Sequence, residues 1–243
     1  MALSDNLIAY WSLEEASGTR VDATGRGNDL SPTAAPGNTT GKVGNALSLN
    51  GSTQYISRAD NADLSMGDID FTIAGWFNIP SLATWALVTK WNTTGNHREY
   101  WLGYFSSKFQ FFVSSNGTAT ASVAPAATSS TSAWHFVVCW HDSVNNFIKI
   151  SVDDGAVASS SYSSGVFDDT TEFRIGADVN GSFFGGPVDE VGIWKRVLTA
   201  AEITDLYNSG NGRDYAYISA PSGALLLQSM TGGMRDLRGG MRG

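Results

Sequence analysis

The chain has 243 residues, 27 of them glycine, with 16% charged side chains and a formal net charge of −8. That length can bury one sizeable core, and the Gly-, Ser- and Thr-rich mixture predicts many short strands joined by turns. Residues 221–243 carry Arg235, Arg238 and Arg242 against Asp236, a net of +2, which leaves −10 on the rest; so acidic a body excludes nucleic acid as its partner.

No run approaches the roughly 18 apolar residues of a membrane span, so no membrane partner is expected. The opening "MALSDNLIAYW" has neither a basic leader nor a long apolar stretch, so no secretory signal is expected. Cys139, the single cysteine, sits in the apolar run "WHFVVCW" and is expected to be a buried small side chain.

Strand signals recur along the chain. "NLIAYWSL" alternates, with Leu7, Ala9, Trp11 and Leu13 on one face. "FTIAGWF" does the same with Phe71, Ile73, Gly75 and Phe77, and "WALVTKW", "EYWLGYF", "KFQFFVSS", "WHFVVCW", "NFIKISVDDGAVASS" and "EFRIGAD" follow. Asn116-Gly117 marks a turn, and Asp154-Gly155 predicts a two-residue hairpin turn with positive φ at both positions. One short helix is expected. Thr199 and Glu202 form a capping box, Leu198 and Ile203 a hydrophobic staple, and Gly210 ends the helix at Asn208 or Ser209. The fold class is therefore all-β: a two-sheet antiparallel jelly-roll sandwich with one short C-terminal helix and an extended tail.

In order along residues 5–211 stand "LIAYWSLEEASGTRVDATGRGNDL", "GKVGNALSLNGSTQYISRAD", "DFTIAGWFNI", "WHFVVCWHD", "IKISVDDGAVAS", "FRIGAD" and "VDEVGIWKRVLTAAEITDLYNSG". As an ordered series they resemble the laminin-G-like, concanavalin A-like jelly-roll domains of the bacterial and phage type. The resemblance implies two curved antiparallel sheets, a glycan or protein ligand, and often a calcium ion. In those domains an N-terminal Asp loop lies near the Asp-Glu strand, which carries Asp22, Asn28 and Asp189 over as calcium ligands. Calcium takes six to eight oxygens from bent Gly-rich loops such as "VDATGRGNDL". The alternative is that these side chains cap turn amides or pair with Arg20 or Arg174, with no ion. Either way they join the two ends of the chain.

Asp189 and Glu190 also raise the question of catalysis. Consecutive side chains of a regular strand point to opposite faces, so the two are expected to look in opposite directions. Glycoside hydrolysis needs two carboxyls facing one cleft. The Glu-x-Asp-x-x-Glu strand of related glucanases is missing, and "SVDDGAV" has only adjacent Asp residues at a turn. His97, His135 and His141 lack metal-ligand spacing. Cys139 would sit ~13 Å from His135 along an extended strand, too far for proton abstraction. No enzyme is expected.

Aromatic and amide side chains cluster in "KWNTTGNHREYWLGYF", where Trp91, Asn96, His97 and Tyr100 are candidate sugar contacts. "DVNGSFFGG" adds Asn180, Phe183 and Phe184, and the two phenylalanines could equally anchor a protein interface. Core packing is the competing role for all of these aromatics.

Two segments follow from the resemblance: residues 1–211 as the laminin-G-like domain and 212–243 as a Gly/Arg-containing arm. On the arm, Leu225, Leu226, Leu227, Met234, Arg235, Arg238 and Arg242 suit docking on an acidic copy of the same body. The expected function is a non-enzymatic structural or decorating subunit of a virion or extracellular assembly. Its expected partners are other copies or other structural proteins. The alternative is a glycan-binding, lectin-like adhesion module, and a glycoside hydrolase is the third reading.

Overall fold

A computed structural model describes residues 1–220. Its strands, in chain order, are β1 Leu7–Trp11, β2 Ser31–Thr33, β3 Gly37–Thr40, β4 Asn45–Ser48, β5 Tyr55–Arg58, β6 Phe71–Asn78, β7 Trp85–Asn92, β8 His97–Phe105, β9 Lys108–Ser114, β10 Thr120–Val123, β11 Trp134–Asp142, β12 Phe147–Val152, β13 Ala158–Ser161, β14 Phe173–Ile175 and β15 Pro187–Trp194. The helices are α1 Ala200–Tyr207 and α2 Tyr215–Ile218.

All pairings are antiparallel and form two sheets. One runs β13-β12-β11-β6-β15-β4-β3, with β1 also paired to β15; the other runs β10-β9-β8-β7-β14-β5-β2. The sheets pack face to face. Phe71, Ile73, Phe77 and Val137 from the first meet Tyr100, Leu102, Tyr104, Phe109 and Phe111 from the second in the central core. The alternation in "FTIAGWF" sets this up, since period-2 side chains share a face. Gly75 falls on the same face because Val191 and Phe77 cross it; a Cβ there would stand 3.0 Å from Val191 Cγ2.

β1 departs from simple alternation. A register shift between Leu7 and Ala9 sends Leu7 outward, while Ala9, Trp11 and Leu13 stay in the core. The hairpin turn after β12 is also one residue earlier than the Asp-Gly pair suggests. Asp153 and Asp154 carry the positive φ (55° and 54°), and Gly155 N–H closes the turn on the Val152 carbonyl at 3.0 Å. Asp tolerates left-handed backbone well enough to hold both central positions.

The outer face of the eight-stranded sheet is covered. Leu3, Tyr10, Trp76, Phe136 and Trp194 pack there under Leu198, just before α1, Ile203 and Leu206 of α1, and Ile218 of α2. The Thr199–Glu202 capping box is formed, and Asn208 ends α1 in left-handed geometry. Residues 212–220, which open the expected arm, continue onto this face, and Tyr215 meets Tyr10 at 5.4 Å between ring centres. Residues 221–243, with all seven arm anchors, lie outside the described residues.

Candidate functional site

The acidic pair of β15 sits in a bulge. Asp189 pairs with Trp76 and Gly192 with Ala74, so Glu190 and Val191 together oppose Gly75. Glu190 adopts φ 50° to make that possible. Val188, Val191 and Ile193 point into the central core. Both acids are therefore left on the outer face, contrary to the alternation expected of a regular strand. The extra residue of the bulge is the physical reason.

Both carboxyls are nonetheless sealed off. Asp189 is 0% and Glu190 5% exposed. Asp189 Oδ2 accepts the amides of Lys42 (2.7 Å) and Val43 (2.9 Å), and Glu190 Oε2 accepts the Tyr10 hydroxyl. Their other oxygens, Asp189 Oδ1 and Glu190 Oε1, have no partner among the described residues. Burial, reinforced by the neighbouring acids, pushes Asp189 up to about 7 and Glu190 to about 9. A cavity of about 620 Å³ opens nearby between the Lys42–Val43 loop and residues 208–220, but neither acid lines it. Two buried acids that tie β15 to β1 and to the 41–44 loop form a brace, without the open cleft that glycoside cleavage requires.

Asp22, Asn28 and Asp189 do not come together as an ion site. Asp22 Oδ1 accepts the amides of Tyr10 and Thr24 and the Thr24 hydroxyl, and Oδ2 accepts the amide of Asn28. Asn28 Oδ1 takes the Arg58 guanidinium at 2.9 Å and the Asn61 amide at 2.8 Å, so positive charge already stands where a cation would bind. Asp189 serves a different loop. Among the described residues no group of three or more His, Cys, Asp or Glu is placed to hold a metal. The Asp22 and Asn28 oxygens do not fit calcium, since they already accept N–H and O–H donors, and Asp189 has no ligand set beside it among the described residues. The knot they form still joins the N-terminal loop to β1.

The expected sugar contacts separate. Tyr100 and Phe184 are 0% exposed and belong to the core, with the Tyr100 hydroxyl donating to the Leu64 carbonyl at 2.9 Å. Both are corrected from ligand contacts to packing: Tyr100 shares its face of β8 with Leu102 and Tyr104. Phe183 is half-buried and leans on Tyr55. Asn96 is exposed in the β7–β8 turn, and His97 Nδ1 pairs with Asp169 Oδ2 at 2.8 Å. Asn180 caps the Thr93 amide at 2.8 Å across that turn. Cys139 is fully buried, with its thiol pushed well up by that burial.

Trp91 is different. It lies on the outer face of the seven-stranded sheet with Ala86, Trp101 and Phe112, apart from the central core. Phe112 meets Trp91 and Trp101 edge to face, at 6.3 and 5.4 Å between ring centres. Gly103 makes room for this: a Cβ there would fall 2.5 Å or less from the Trp101 ring and 2.4 Å from the Trp85 carbonyl. The result is a shallow cleft of about 300 Å³ with an indole floor and Phe105 and Phe112 as aromatic walls. Thr84, Ser182 and Asp178 supply its polar rim. Phe105 is 45% exposed, so one aromatic wall of the cleft stands open to solvent. Trp101, Phe105, Phe112 and Asp178 were missed from sequence; the signal was "WLGYF", where a glycine sits between two aromatics that share a face.

Comparison with known proteins agrees with this architecture. Residues 50–204 match the concanavalin A-like lectin/glucanases superfamily. No curated protein sequence matches. Among solved structures, the binding domain of Paraclostridial Mosquitocidal Protein 1 is similar with a TM-score of 0.71 at 16% identity, over 86% of this chain and 53% of that one. Domain 4 of a GH43 extracellular arabinanase from Geobacillus stearothermophilus, in complex with arabinotriose, gives 0.66 at 19% identity, covering 82% of this chain and 97% of that one. The binding domain of Botulinum Neurotoxin DC in complex with SialylT gives 0.66 at 11% identity, with 86% and 52% covered. The chain thus spans about half the length of the toxin binding domains it matches. At such identities the likeness is one of fold. With more than half of its length matched and both sheets in place, the chain belongs to the concanavalin A-like lectin/glucanases superfamily as a lectin-like jelly-roll domain.

Proposed function

We propose that this protein is a non-catalytic glycan-binding module whose ligand lies in the cleft over Trp91, Trp101 and Phe112. The cleft is the observation that carries this reading: aromatic rings for the C–H faces of a sugar, beside hydroxyls and one carboxylate for its O–H groups. Its volume of about 300 Å³ is at the low end for small-molecule sites and suits one or two sugar rings rather than a long chain. Two solved structures of like fold hold saccharide ligands by description, arabinotriose in one and SialylT in the other, which supports a glycan as the class of ligand. The sealed Asp189–Glu190 pair supports binding over cleavage.

Adhesion within a virion or extracellular assembly is the setting in which such a module would serve. A self-assembling role depends on residues 221–243, and no observation among the described residues favours it.

A glycan array tests the reading. The wild-type chain is expected to bind a subset of glycans, the exposed Phe105→Ala to lose that binding while keeping the melting temperature, and Phe112→Ala to lose it with a lower melting temperature, since Phe112 also packs on Trp91 and Trp101. A silent array, or binding indifferent to both substitutions, overturns it.

A further inference from the structure

Asp178 is the one charged side chain among the residues lining the aromatic cleft. It is 6% exposed and held in place by the loop after β14: Oδ1 accepts the amides of Asn180 at 2.9 Å and Ser182 at 3.1 Å. Oδ2 accepts no hydrogen bond among the described residues, and it is not among the buried atoms left without a partner, so it retains access to solvent. The Arg174 guanidinium reaches the Asp178 carbonyl at 2.9 Å, but it is paired with Glu172 and stacked on Tyr55 at 4.3 Å. Among the described residues no cation forms an ion pair with the Asp178 carboxylate.

Building on the glycan-binding reading, we infer that Asp178 makes the cleft selective for neutral glycans, with Oδ2 accepting a sugar hydroxyl, and that it rejects glycans bearing a carboxylate such as sialic acid or a uronic acid. A fixed carboxylate is a good acceptor for sugar O–H donors and a poor neighbour for a second carboxylate. Specificity of this kind comes from the repulsive element as much as the attractive one. The acidic body, −10 outside residues 221–243, adds long-range repulsion of anionic ligands in the same direction.

The test uses pairs of immobilised oligosaccharides that differ only in a terminal sialic acid, read with the full-length chain at low and high salt. Wild type is expected to prefer the neutral member by about ten-fold or more, the scale of one unscreened charge contact near a protein surface. That preference should shrink at high salt. Asp178→Asn keeps an acceptor for the two loop amides and is expected to narrow the preference with the melting temperature unchanged.

Equal or better binding of the sialylated members by wild type overturns the inference. So does a preference that neither salt nor Asp178→Asn alters. If the variant fails to fold, the wild-type ratio and its salt dependence decide alone. If no glycan of either kind binds, the glycan-binding reading itself falls, a result distinct from binding without discrimination.

Discussion

Replacing Glu190 by Gln should make this protein more stable at alkaline pH and leave it unchanged in acid. Burial beneath α1 and the 208–220 segment, reinforced by the charges of Asp189, Glu14 and Asp214, outweighs the Tyr10 hydrogen bond and pushes Glu190 up to about 9 against an ordinary 4.5. Between those two values the folded chain holds a proton that the unfolded chain has released. Stability is therefore fully present below about 4.5 and is lost as pH rises toward 9, by up to about 1.4 kcal/mol per pH unit from this group. From pH 5 to 8 that amounts to a few kcal/mol, a large share of the 5–15 kcal/mol typical of a domain. Gln is close in shape, stays neutral, and keeps an oxygen for the Tyr10 hydroxyl. Urea midpoints of both proteins at pH 4.5, 6 and 8 measure the effect. The two curves should meet in acid and separate toward pH 8, with Glu190→Gln the more stable. Parallel curves would refute the claim that this acid is buried protonated, and Glu190→Gln less stable at every pH would mean the carboxylate is the native form.

Other consequences are as direct. Chelator should leave the melting temperature unchanged, because the Asp22 and Asn28 oxygens already accept N–H and O–H donors; a drop on EDTA, restored by calcium, contradicts that geometry. Asp22→Ala should cost about 1–3 kcal/mol in urea unfolding through orphaned amides, in or out of chelator. His135 links Asp153 Oδ2 (2.6 Å) to the Ser130 carbonyl (3.1 Å). Burial alone would lower its pKa, but these bonds outweigh burial and raise it. Its stabilising share is thus present below the ordinary 6.5 and fades as pH rises through the raised value, which NMR titration of the ring and the Asp153→Asn variant would follow. Gly103→Ala should cost about 1–3 kcal/mol by forcing Trp101 and the Trp85 carbonyl apart, and should abolish glycan binding; an unchanged protein would mean the floor of the cleft is not packed as described.

Much of the architecture was legible because it rests on local rules. Period-2 alternation in "FTIAGWF" puts Phe71, Ile73 and Phe77 in the core, and the Thr199–Glu202 box starts α1 where the hydroxyl and carboxyl can satisfy free amides. The acids of β15 were misread because a bulge is a non-local feature. Nothing in "VDEVG" announces that Gly75 will face two residues, and the positive φ of Glu190 is tolerated only because β1, β6 and the 41–44 loop surround it.

The ligand residues were half legible for a similar reason. "EYWLGYF" alternates, so its own pattern separates Tyr100, Leu102 and Tyr104 from Trp101, Gly103 and Phe105. Which set faces solvent depends on which sheet face the other sheet covers. Trp91 is brought to the cleft by β7, whereas Asn96 and His97 stay in the turn beyond it. Asp178 arrives from a loop some 80 positions later, through pairing of β14 with β7.

The most direct measurement is a structure of the protein with the strongest neutral glycan from the array. The account predicts a sugar ring seated over Trp101 between Phe105 and Phe112, with a hydroxyl donating to Asp178 Oδ2. A glycan seated instead in the cavity beside Lys42 and Arg213, or against the Asn96–His97 turn with the aromatic cleft empty, would contradict it.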